Sequence, residues 1–140
     1  MGLQRETVLD GVADELHRFS GLVRSLDDDE LDAATRCEGW AVRDVAGHVV
    51  GTVVDVTAGR LDGQGTPLVT ERQAAERRGR SGEELADELE AALPALTDAI
   101  SSLPPELWDG PSPTDPTFTL GFAATSSVAR ETNVYRYELR

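Results

Sequence analysis

Lysine is absent from this 140-residue chain, and cysteine, methionine and aromatic residues are scarce. All 13 basic residues are arginine, set against 26 acidic ones, for a formal net charge of −13. So few cations suit nucleic acid poorly, because a phosphate backbone is bound by clustered Lys and Arg. The same shortage argues against an anionic membrane surface, which attracts polybasic segments. No run of about 18 apolar residues exists, so no segment is expected to span a bilayer. The single cysteine, Cys37, rules out an internal disulfide and fits a reducing, cytoplasmic setting. The first residues lead into an acidic amphipathic segment and not into an apolar signal core. The length fits one domain with a single core, expected over residues 1–140.

What is present is helical periodicity. Val8, Leu9, Val12, Leu16, Phe19, Leu22, Val23 and Leu26 share one side of a helix expected over roughly residues 5–26. His17 falls nearly opposite them and is expected in solvent. The acidic run from Asp27 to Glu30 reads as the cap of a short helical turn. A second helix is expected over about residues 41–60, carried by Val42, Val45, Val49, Val50, Val53 and Val56. Its valines also suit a strand, but their three-four spacing decides for helix. Residues 62–69 hold two glycines and a proline and are expected to be a loop. Ser81-Gly82-Glu83-Glu84 forms a capping box before Leu85, opening a third helix that Pro94 should kink. Pro104-Pro105 should end that helix and begin a crossing loop. A last helix is expected from near Phe118 to the C-terminus. The arginines at 77, 78 and 80 read as a solvated face. The fold class is all-α, a four-helix bundle.

Two places carry chemistry. In the last helix, Glu131, Tyr135 and Glu138 fall in the same sector as Leu120, Ala124, Val128 and Leu139. Carboxylates in a core-facing stripe need partners, because an unpaired buried carboxylate is costly. Either they join an internal network with Arg130 or a neighbouring helix's arginine, or they serve a metal or substrate inside the bundle. In the second helix, His48 flanks the valine stripe, with Asp44 one turn before it, Thr52 one turn after and Asp55 two turns on. Read alone, His48 is a structural, hydrogen-bonded residue, although a neighbouring carboxylate would suit a ligand histidine. Cys37 and Trp40 read as packing at the start of that helix.

The segment Cys37-Glu38-Gly39-Trp40-Ala41-Val42-Arg43-Asp44-Val45-Ala46-Gly47-His48 resembles the metal-binding helix of the mycothiol-dependent maleylpyruvate isomerase family, within the DinB-like four-helix proteins. Residues 130–139 are similar to that family's last-helix motif of Glu, three residues, His, two residues, Asp, Leu. The resemblance implies a DinB-like bundle, a zinc or other divalent metal as cofactor and mycothiol as cosubstrate. It places His48 and Glu131 as metal ligands and Tyr135 where the family has its second histidine. Glu138 stands where the family has aspartate. A phenol must lose its proton to ligate, so the metal site is expected to be degenerate. Tyr135 as phenolate, Glu138, or one of Asp44 and Asp55 could complete the ligand set.

The first reading is therefore a mycothiol-dependent, metal-binding thiol transferase or isomerase with a degenerate metal site, in which Tyr135 borders the substrate as ligand or proton donor. The second is a metal-free module that holds a small molecule without chemistry. A third is a helical module that binds a protein partner. The expected partner is a small-molecule thiol or electrophile, with no nucleic acid and no membrane. A homodimer is an expectation that the resemblance alone carries.

Overall fold

The computed structural model describes residues 5–110. The expected last helix, with Glu131, Tyr135 and Glu138, lies outside the described residues. Within them the chain is all-α, in the order α1 (Arg5–Ser25), α2 (Asp28–Leu31), α3 (Val42–Thr57), α4 (Pro67–Ala75), α5 (Gly82–Ser101) and α6 (Pro105–Trp108). α1 packs on α5, α5 on α3, and α3 on α4.

The stripe read from the sequence is the buried side of α1. Val8, Val12, Leu16, Phe19 and Val23 meet Leu85, Leu89, Leu93 and Leu96 of α5 and Ala46, Val49, Val50 and Val53 of α3 in one cluster. Burying a side chain of this size stabilises by about 1.5–3 kcal/mol. α5 starts where the capping box places it: Ser81 Oγ accepts from the Glu84 N–H and a Glu84 oxygen accepts from the Ser81 N–H. Gly82 is obligatory there, because a Cβ would stand 2.3 Å from the Val23 carbonyl oxygen at the end of α1. Pro94 faces solvent, and α5 continues through it to Ser101.

The acidic run makes the expected helical turn, α2, with Asp27 and Glu30 capping each other reciprocally. Three expectations change. The loop of residues 62–69 ends early, because Thr66 Oγ1 caps the Val69 N–H and Pro67 stands at the first helical position of α4, where its missing N–H costs nothing. The stretch after Pro104 contains the single turn α6, whose Trp108 ring lies 5.3 Å from the Arg5 guanidinium. The arginines at 77, 78 and 80 are a solvated face only in part: Arg78 is exposed, Arg80 half-buried and Arg77 buried, and all three pair with carboxylates of other helices. Arg77 is only 5% exposed and pairs with Glu88 of α5, which Arg80 also meets. Arg78 bridges Asp44 and Glu71. Cross-helix carboxylates, which a one-dimensional charge run does not reveal, are the reason.

Candidate functional site around His48

The chain enters α3 through a clasp. The Trp40 N–H donates to the Cys37 carbonyl at 2.9 Å, closing a turn with Gly39 at φ 81°. That left-handed conformation is one glycine adopts without penalty. Val42 N–H then donates to the Ala33 carbonyl at 3.0 Å, and Ala34 bridges Ala41. Ala41 has no side-chain acceptor, so the helix start relies on Asp44, whose Oδ2 accepts the Ala41 N–H at 3.0 Å. Asp44 Oδ1 accepts from Arg78 Nε at 2.8 Å. Trp40, read as packing at the start of this helix, is half-buried; its indole N–H donates to Glu71 at 3.0 Å and its ring lies 5.8 Å from that of His48. Arg78 first, then Trp40, holds the Glu71 carboxyl below the usual range.

His48 is 8% exposed and lies where α3 meets α4. Two glycines permit that meeting. A Cβ on Gly51 would stand 2.6 Å from Gln73 Cβ, and one on Gly47 would stand 3.1 Å from Arg77 Cβ. With hydrogen in both places, α4 seats Gln73 fully buried, its Oε1 at 2.8 Å from His48 Nδ1. Thr52 Oγ1 donates to the His48 carbonyl at 3.0 Å and to Gln73 Oε1 at 3.4 Å.

The other end of Gln73 reaches Asp55. Gln73 Nε2 donates to Asp55 Oδ2 at 2.9 Å and to Gln64 Oε1 at 3.1 Å. Asp55 is 1% exposed. Its Oδ1 accepts from Arg60 Nε and Nη2 at 3.1 and 2.8 Å, and its Oδ2 accepts also from Arg72 and Gln64. Burial pushes this carboxyl up, but hydrogen bonds from Gln73, Arg72, Gln64 and Arg60 outweigh it and hold the group below the usual carboxylate value. Five donors fill the roughly four lone-pair positions a carboxylate offers. Asp55, one of the residues that could complete the ligand set, is the anchor of a buried network.

Of the site residues read from the sequence, His48, Asp44 and Asp55 are described. Gln73 joins His48 to Asp55, while Asp44 serves the helix start and Arg78. Glu131, Tyr135 and Glu138 lie outside the described residues, so their approach to His48 is not described either. Among the described residues, no three His, Cys, Asp or Glu side chains converge as a metal-holding group. Sequence reasoning missed Gln73, Gln64, Arg60 and Arg72. The available signal was Gly47 and Gly51 one helical turn apart, a spacing that lets a second helix approach closely. His48 itself fits a ligand histidine: one ring nitrogen is held by a side-chain carbonyl, as metal-bound imidazoles usually are.

The fold and site thus define an all-α bundle with a buried histidine held by polar side chains between two of its helices. The chain belongs to the family of the mycothiol maleylpyruvate isomerase N-terminal domain, whose profile matches residues 12–140. No curated protein and no solved structure matches it. Among the described residues, no helix is long and apolar enough to cross a membrane.

Proposed function

We propose that this protein binds a divalent metal through His48 and Glu131 and uses mycothiol, or a related small thiol, in transfer to or isomerisation of a small electrophile. The observation that carries the reading is the hold on His48: a buried imidazole whose Nδ1 meets the Gln73 carbonyl oxygen, within a family associated with mycothiol. When bound, a divalent cation such as zinc would favour thiolate over thiol at neutral pH. His48 and Glu131 supply two ordinary ligands, one short of the three protein ligands usual at catalytic zinc. Tyr135 is the third candidate, as ligand or as proton donor to the substrate, and Glu138 the next. Asp55 is not counted in this set, because its lone pairs are committed.

Zinc titration of the purified full chain by calorimetry tests the reading. One equivalent should bind, His48→Ala should abolish binding, and Tyr135→His should tighten it by about tenfold or more, as restoring a neutral imidazole ligand implies. A chain that takes up no zinc, and gains none with Tyr135→His, would favour a metal-free small-molecule module.

A further inference from the structure

Gln73 is the one fully buried amide in the network, and both its ends are engaged. Its NH2 faces Asp55 and Gln64, and its carbonyl oxygen faces His48 and Thr52. Turning the amide over would set its carbonyl oxygen against the Asp55 carboxylate, which Arg60 and Arg72 already pin as an anion. The orientation is therefore fixed by charge and not by choice of fit. A carbonyl oxygen only accepts, so the hydrogen between Gln73 and His48 belongs to Nδ1. In the neutral ring the lone pair then lies on Nε2. An imidazole in water favours the opposite arrangement, with its hydrogen on Nε2. Gly51 adds an independent observation: only glycine there leaves room for the Gln73 stem against α3.

We propose that Gln73, oriented by Asp55, is a positioning residue that holds neutral His48 with its proton on Nδ1 and offers Nε2 as the ligand nitrogen. The tautomer stands on the hydrogen-bond geometry; its use in ligation rests on the metal-binding reading above. Partners of this kind typically change metal affinity by about 10–100-fold when removed.

Nitrogen-15 NMR of the two imidazoles in the metal-free full chain tests the tautomer directly, at a pH where both rings are neutral. The exposed His17 provides the internal reference for an unconstrained ring. His48 should carry its hydrogen on Nδ1 while His17 favours Nε2. Gln73→Met, which keeps size and removes the carbonyl, should erase the difference and weaken zinc binding by about 10–100-fold, with helicity unchanged by circular dichroism. A wild-type His48 protonated on Nε2 overturns the proposal, whether or not the variant folds. A folded Gln73→Met with the same tautomer and zinc affinity as the wild type overturns it too. Absence of zinc binding to the wild type would defeat the metal reading alone, since the spectrum still decides the tautomer.

Discussion

The face between α1 and α5 and the face between α3 and α4 are built from opposite materials. The first is an apolar seam of Val12, Leu16, Phe19 and Val23 against Leu85, Leu89 and Leu93, bordered by Ser20, which donates to Glu90 at 2.9 Å. The second has glycines where the helices approach and buries His48, Asp55, Gln73 and Arg77. Apolar packing is non-directional and tolerates exchange of one hydrocarbon side chain for another of similar volume. A buried polar network has one satisfied arrangement, and a partner lost leaves another group desolvated without a bond. The first face therefore supplies stability, and the second fixes the position and protonation of a single imidazole.

Substitutions can break this contrast. The largest effect is expected from Leu89→Ala, which empties a fully buried site and should cost about 3–4 kcal/mol in urea denaturation. That loss should not vary with pH, and the His48 tautomer should stay on Nδ1. A shifted tautomer would mean that the two faces are not independent.

Asp55→Asn should cost about 2–3 kcal/mol at neutral pH, less than a wholly enclosed ion pair because Arg60 and Arg72 are partly solvated. The sign of its pH dependence follows from the lowered carboxyl. A native value below the unfolded one contributes stability in full above the ordinary 3.8, and loses it as pH falls through the native value. The gap between wild type and Asp55→Asn should thus be flat above 3.8 and close progressively as pH falls from there through the native value. Denaturation curves at a series of pH values measure this directly, and a gap constant into strong acid would contradict the network described for Asp55.

The smallest effects concern glycine. Gly51→Ala gains helix propensity but drives a methyl group into the Gln73 stem, for a net loss of about 1–2 kcal/mol. Gly11→Ala, on the exposed side of α1 with nothing within 4 Å of the new Cβ, should instead gain up to about 1 kcal/mol. Thermal denaturation of both variants sharpens the comparison; equal signs would show that close approach is not what selects glycine at 51.

How legible each face was follows from the same difference. The α1 stripe, the Ser81 cap and the acidic cap of α2 were readable, because each depends on residues three or four apart on one helix. The start of α4 at Pro67 was obscured by the glycines and proline around it, although Thr66 before Pro67 is itself a start signal. Arg77 read as solvated because its partner, Glu88, stands on another helix. Asp55 was singled out correctly as a polar residue on the side of His48, but its partners were not visible. Gln73 carried no chemical signature at all; a neutral amide among charged neighbours looks like surface.

From the sequence alone came the all-α class, the approximate limits of α1, α3 and α5, the family and His48 as the residue to watch. Local hydrogen bonding and apolar period are written along one helix and need no knowledge of the rest. The tertiary structure decided which polar groups satisfy one another. His48 and Gln73 are 25 residues apart, and their contact exists only because α4 can lie against two glycines of α3. Hydrogen bonds are short and directional, so the placement of whole helices determines which nitrogen of one imidazole carries the proton.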